Sequence, residues 1–409
     1  MRILLAQKLP FDHSYTGASK VARLLLEQLA ARKHSCRVLA LTAQPGDTSS
    51  TVKDETFTRN GVEVQTISDG LRLNARVIEQ IQSFSPTWTL ITEDPTYGLL
   101  NAALDAHPEG TVFLSQSSAV LPFGPQCFTP DATHTAALRR TAGLVTLSRY
   151  LQDYIQRWGN LNAWRAPLPV YGDGPYPYLG SFDNRYVTMI NPSSIKGIAI
   201  FLELARRLPN VHFAGVCTWA TTAADRLQME QLPNVRLLDP DENIDAILAQ
   251  TRVVLVPSLW GEAFGMIVVD AMLRGIPVLA SNVGGLPESK LGIDYVLPVA
   301  PIEIYEDRRD DRLLKTPIVP PQDIRPWLVT LNRLVCERQH YEDLSLASRK
   351  AALEYVSSLT ITSFEQYLER LSPALPGEPQ EAMPELPESV RTLSRAKLEL
   401  LAQLLKRKT

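Results

Sequence analysis

The strongest constraint on this chain is an alternation that occurs twice along it: a short apolar run, then a longer stretch patterned at helical spacing, then another short run. Ile3 to Ala6 is followed by Val21, Leu24, Leu25 and Leu29 and then by Val38 to Leu41, which reads as strand, helix, strand. The series continues through Trp88 to Thr92, Val112 to Leu114 and Leu144 to Leu147, the last followed by a helical pattern over Arg149 to Arg157. Buried apolar strands joined by helices predict a parallel sheet covered on both faces. A second series opens at Tyr186 to Ile190 and runs through Val211 to Ala214, Val235 to Leu238, Arg252 to Val256 and Pro277 to Ala280.

Between the two series, Pro167, Pro169, Gly172, Gly174, Pro175, Pro177 and Gly180 leave no period on which a core element could form. The expected organisation is an N-terminal domain over 1–168, a linker over 169–185, and a C-terminal domain over 186–358. A helix follows over 359–372, a candidate for crossing back to the N-terminal domain, and then a Pro-rich tether with an amphipathic tail helix over 373–409. In the tail, Leu393, Leu400, Leu401, Leu404 and Leu405 make one stripe ending in Lys406, Arg407 and Lys408, so residues 388–409 are a candidate docking helix for a protein partner. Glu306 to Arg312 reads as a charged surface loop.

A length of 409 residues with 45% hydrophobic and 21% charged residues fits two globular cores. The net charge of −3 provides no basic stripe, which argues against nucleic acid. No run approaches a membrane span, and Met1 to Gln7 is too short an apolar stretch for a signal peptide. Four scattered cysteines, Cys36, Cys127, Cys217 and Cys336, suggest neither zinc nor disulfides. A cytoplasmic enzyme is expected.

The densest chemical signal is Pro257 to Met272, where a buried strand ends and a helix opens. In such sheets ligands bind at the carboxyl ends of strands, and a helix N-terminus offers free N–H groups to phosphate. Ser258, Phe264, Gly265 and Met266 are the expected phosphate-facing backbone there, with Glu262 before the helix and Asp270 two turns into it. Gly284-Gly285-Leu286-Pro287-Glu288 adds a second glycine loop at the next strand end.

This block resembles the retaining glycosyltransferases of family 4, which have the GT-B fold: Pro-Ser, Glu, Phe-Gly, a second acid eight residues on, Ala-Met, Gly-x-Pro-Val and Gly-Gly-Leu-x-Glu are all matched between Pro257 and Glu288. Asn191 to Gly197 is similar to the family's Lys-Gly element, and Thr16 to Val21 to its N-terminal glycine loop. The resemblance implies two Rossmann-like domains facing across a cleft and transfer of a hexose from a nucleotide-sugar donor to a hydroxyl, with the anomeric configuration retained and no metal required. It implies Lys196 on the diphosphate, Glu262 on the transferred sugar, Asp270 on the ribose, Gly17 approaching the phosphates across the cleft, and Asn191 and Glu288 as further donor-side residues.

Four positions depart from the family pattern: Asp270 replaces a Glu, Thr16 a Gly, Asn191 an Arg and Gln116 a His. Acceptor-side candidates are His13, Glu93, Asp94 and Gln116, the last where members place a histidine. The acceptor would be a small molecule, a natural product, or a glycan or lipid hydroxyl. The competing readings are a nucleotide-sugar epimerase, a phosphorylase, or a degenerate copy acting as a scaffold beside a biosynthetic assembly line.

Overall fold

In the computed structural model, residues 1–11, 16–42, 53–92, 94–309 and 315–371 are described; His13, Glu93 and the tail helix lie outside them. Residues 1–373 form one compact unit.

Among the described residues the first sheet contains β1 (Arg2–Gln7), β2 (Ser35–Leu41), β3 (Glu55–Arg59), β4 (Val62–Ile67), β5 (Trp88–Thr92), β6 (Thr111–Ser115), β7 (Gly143–Thr146) and β8 (Trp164–Arg165). Their spatial order is β3-β4-β2-β1-β5-β6-β7-β8. Every pairing is parallel except β3 with β4, an antiparallel edge that the apolar alternation did not predict, because β3 is largely exposed. The second sheet contains β9 (Tyr186–Ile190), β10 (His212–Val216), β11 (Val235–Leu238), β12 (Thr251–Val256), β13 (Val278–Ser281) and β14 (Val296–Leu297), all parallel in the order β11-β10-β9-β12-β13-β14. That order runs outward in both directions from β9 and β12, as in a dinucleotide-binding sheet, and opens a crevice at their carboxyl ends. The first sheet has the same switch between β1 and β5.

The helices of the N-terminal half are α1 (Gly17–Ala31), α2 (Leu73–Phe84), α3 (Gly98–Ala106), α4 (Ala132–Arg139) and α5 (Arg149–Tyr154). Those of the C-terminal half are α6 (Ile198–Arg207), α7 (Ala223–Glu230), α8 (Ile244–Leu248), α9 (Met266–Leu273), α10 (Leu286–Ser289), α11 (Arg325–Cys336), α12 (Arg338–Ser357) and α13 (Ile361–Arg370). No described helix is long and apolar enough to cross a membrane.

The charged run predicted as a loop instead enters a hairpin, β15 (Tyr305–Arg309) against β16 (Lys315–Pro317). Tyr305 anchors it edge-on to Phe128 of the N-terminal half, 5.4 Å between ring centres. A half-buried aromatic at the start of the run offsets the poor strand propensity of the charges.

The chain crosses between the halves twice. After β8, Leu168, Val170 and Tyr171 bury in one apolar cluster with Phe264, Val268, Met272 and Phe364. Further along, Arg349 of α12 donates to the carbonyls of Tyr176 (2.7 Å) and Pro177 (3.1 Å), and Leu179 N–H donates to the Arg274 carbonyl (2.9 Å). The return crossing is α13, which lies on the first sheet. Tyr367 stacks on Trp164 at 4.3 Å, and Glu365 accepts from Arg32 and binds His34, both at 2.7 Å. The two crossings touch, since Thr360 N–H donates to the Pro167 carbonyl (3.1 Å).

Candidate active site

The crevice of the second sheet is built by the loops after β9 and β12. After β9 the chain turns at Asn191, which has φ of 61°, and reaches Lys196, with Gly197 at φ 86° starting α6. A side chain at Gly197 would overlap the Pro257 carbonyl, so only glycine lets these two loops close on each other. The closure brings Lys196 Nζ to 2.5 Å from Glu262 Oε1, the same oxygen that accepts from Ser258 Oγ at 2.5 Å. The Lys196 ammonium also lies 5.1 Å from the centre of the Trp260 ring. Burial pushes the Glu262 carboxyl up, but the Lys196 charge and the hydrogen bonds from Lys196 and Ser258 outweigh it, and the group stays below the ordinary carboxylate range.

The glycine loop ahead of α10 packs on the same residue. Gly285 N–H donates to the Glu262 carbonyl at 2.7 Å, and Gly284, at φ 58°, leaves no room for a Cβ against the Glu262 backbone. Gly265 caps α9 at φ 85° beneath Leu286. The Phe264 ring is buried against Tyr355, 6.0 Å between centres, so Phe264 presents backbone rather than a ring to the crevice.

Opposite stands α1, whose first turn is closed by Thr16: its hydroxyl accepts from Ser19 N–H at 3.1 Å. Threonine in place of the family's first glycine therefore acts as the helix cap. A Cβ built on Gly17 would lie 3.8 Å from Met266 Sδ, so the N-termini of α1 and α9 meet across the cleft. Neither has an acid in its first turn. Two helix N-termini free of acidic side chains in their first turns are an arrangement that can take an anion. Among the described residues no group of His, Cys, Asp and Glu could hold a metal ion.

Asp270 lies about one turn into α9, not two, because the helix begins only at Met266. Its Oδ2 is 2.8 Å from Lys20 Nζ of α1, and its Oδ1 is 3.4 Å from Arg274.

Several expected positions have other work. Asp94 does not face an acceptor: it is fully buried, accepts from Leu99 N–H (2.8 Å) and Leu100 N–H (3.1 Å) at the start of α3, and pairs with Lys8 at 3.0 Å. The Asn191 side-chain oxygen accepts from Ala220 N–H (2.9 Å) and ties the loop after β10. Gln116 is buried and donates to Thr92 Oγ1 at 2.8 Å. Glu288 accepts from Arg149 N–H at the start of α5 (2.7 Å) and from Arg165 (2.8 Å), both in the N-terminal half.

The sequence reading missed a polar group against the Gly261-Glu262 peptide. Gln126 Oε1 accepts from Ser118 Oγ (2.5 Å) and Tyr150 O–H (2.8 Å), and a side chain at Gly261 would overlap both Gln126 and Tyr150. Nothing local marks these residues, since each gains its role only when α5 meets the loop after β12.

Residues 185–303, which hold Lys196, Glu262, Asp270 and Glu288, match the family described as glycosyl transferases group 1. The chain is similar to the MMP alpha-(1->4)-mannosyltransferase of Mycolicibacterium hassiacum, 30% identical over 137 residues, 32% of this chain and 28% of that protein. The curated relatives it matches are each covered over 13% to 31% of their length. Among solved structures, sucrose-phosphate synthase from Thermosynechococcus elongatus has a TM-score of 0.67 at 15% identity, covering 91% of this chain and 99% of that one. Anabaena Alr3699/HepE in complex with UDP and glucose has a TM-score of 0.62 at 16% identity, covering 90% and 98%. At those identities the likeness is one of fold, and the fold is the two-domain α/β architecture of GT-B type.

Proposed function

We propose that this chain is a metal-independent, retaining hexosyltransferase of glycosyltransferase family 4, moving a sugar from a nucleoside-diphosphate sugar to an acceptor hydroxyl. The observation that carries the reading is the Lys196-Glu262-Ser258 cluster at the switch point of the second sheet, faced by the N-terminus of α1 at Met266. The diphosphate lies between the two helix N-termini, with Lys196 as the mobile charge that neutralises the departing phosphate. Glu262 then exchanges its lysine for hydroxyls of the transferred sugar.

The acceptor oxygen attacks the anomeric carbon on the face from which the diphosphate leaves. The carbon–oxygen bond to phosphate breaks, the new glycosidic bond forms, and the acceptor proton passes to the leaving phosphate oxygen. The side chains supply placement and charge, so no enzyme nucleophile is needed. Helix termini and lysine take the role a divalent ion has elsewhere, and turnover is expected to survive chelator. UDP is the first donor base to test, since the Anabaena neighbour was solved with it. The four separate free cysteines support a reducing, cytoplasmic setting.

The test is a thermal-shift screen against UDP, GDP, ADP, TDP and their common sugars, with Lys196→Ala and Glu262→Ala in parallel. A shift with one nucleotide that Lys196→Ala abolishes supports the reading. No shift with any of them makes a non-catalytic scaffold the better account.

A further inference from the structure

We propose that Lys20 is a donor-binding residue that exchanges Asp270 for the donor diphosphate when a nucleotide enters; this rests on the glycosyl-transfer reading above. Lys20 is three residues after Gly17, on the same face of α1, and its ammonium lies 2.8 Å from Asp270 Oδ2. With Arg274 at 3.4 Å from Oδ1, both carboxylate oxygens of a 4% exposed aspartate are engaged. A ribose that takes hydrogen bonds from Asp270 must therefore displace one cation. Arg274 is the fixed one: it sits on the same helix, is buried, and also binds Asp245 at 2.6 Å and the Asp270 carbonyl at 3.2 Å. Lys20 has Asp270 as its ion-pair partner, keeps a quarter of its side chain exposed and reaches from the other half of the molecule.

The surroundings are apolar apart from a buried tyrosine hydroxyl. Tyr171, whose ring centre is 5.9 Å from the Lys20 ammonium, is buried with no hydrogen-bond partner for its hydroxyl. It lines, with Met266 and Phe264, a residual cavity of about 10 Å³ between the halves, room for about one water. An unsatisfied buried hydroxyl beside a carboxylate that two cations compensate is suited to a polyhydroxylated ligand. A lysine released from Asp270 has the diphosphate as its nearest new partner, because Gly17, one turn earlier, marks the α1 terminus that meets Met266. Lys20 thus opposes binding of the ribose alone and favours binding of ribose and diphosphate together.

The experiment compares the affinity of the nucleoside diphosphate that binds, among UDP, GDP, ADP and TDP, with that of its bare nucleoside, in wild type, Lys20→Met, Lys20→Arg and Asp270→Asn. Lys20→Met should weaken the diphosphate about 10-fold or more, the loss of one charge-assisted phosphate contact, while the nucleoside binds more tightly. Lys20→Arg should keep wild-type behaviour, and Asp270→Asn should weaken the nucleoside while sparing the diphosphate's phosphate contacts. Equal weakening of both ligands by Lys20→Met, or no change in either, overturns the assignment and leaves Lys20 as a tie between the halves. If Lys20→Met does not fold, the Asp270→Asn pair of affinities decides alone. Absence of wild-type binding to all four nucleotides defeats the glycosyl-transfer reading itself, and this inference with it.

Discussion

Lys196→Met removes the ammonium from a carboxylate that has been folded into place around it. In wild type, Glu262 Oε1 is shared by Lys196 and Ser258, each at 2.5 Å, and the lysine and glutamate side chains are 17% and 13% exposed. Removing one member of a fully buried pair costs about 3–5 kcal/mol, and the remaining exposure lets water take part of the charge, so about 2 kcal/mol is expected. That lowers the melting temperature by about 4–8 °C. The sign of the pH dependence follows from the depressed Glu262 value: its pairing stabilises the fold above the ordinary carboxylate range, near about 4.3, and the contribution is lost as pH falls through the folded-state value. In the variant the Ser258 hydrogen bond still opposes burial but the lysine charge no longer does, so that value rises, and the deficit is largest near neutrality and closes in acid, where Glu262 is protonated and needs no cation. Urea midpoints near pH 7 and near pH 5 for wild type, Lys196→Met and Lys196→Met with Glu262→Gln measure this. The double variant should recover part of the loss, since no unpaired charge remains. A pH-independent deficit, or a double variant no better than the single, would show that the pair does not hold Glu262.

Gly284→Ala forces a Cβ against the Glu262 backbone at φ 58° and should cost about 2–4 kcal/mol while abolishing donor binding; thermal melting with and without nucleotide reports both. Lys290 is fully buried, donates to the Val278 and Asp294 carbonyls at 2.6 Å, and burial lowers its pKa to about 7. Its charge opposes folding most below that value and the cost is relieved between pH 7 and its ordinary alkaline range, so stability should rise there by up to about 1.4 kcal/mol per pH unit, a slope that Lys290→Met removes. Asp94→Ala should cost about 1–3 kcal/mol through the lost α3 cap and the orphaned Lys8, without altering acceptor KM relative to wild type; a selective rise in acceptor KM would restore it to the acceptor site.

The two sheets and the Pro257 to Glu288 block were legible because both are local: strand and helix periods, and a glycine loop placed where a strand must end. The same locality sets the limit. Asp94 before Pro95 looks like an acid at a cleft mouth, and only the position of Leu99 and Leu100 turns it into a cap. Asn191 acquires its partner 29 residues away and Lys20 its partner 250 residues away, separations over which no spacing rule operates. Glu288 was found by motif, but its partners lie in the opposite half of the chain. The Glu306 to Arg309 strand was hidden by its charges, since its pairing depends on Tyr305 finding Phe128.

The contact between Thr360 and Pro167 bears on how the cleft can open. Two segments running side by side and bonded to each other behave as a two-ply strap: it bends easily about one axis and resists twisting. Opening would then be a page-like swing, and each closure would return Lys20, Arg149 and Arg165 to the same carboxylates. Loosening either ply, for instance at the Trp164-Tyr367 stack, should blur that registration before it weakens any single contact in the crevice.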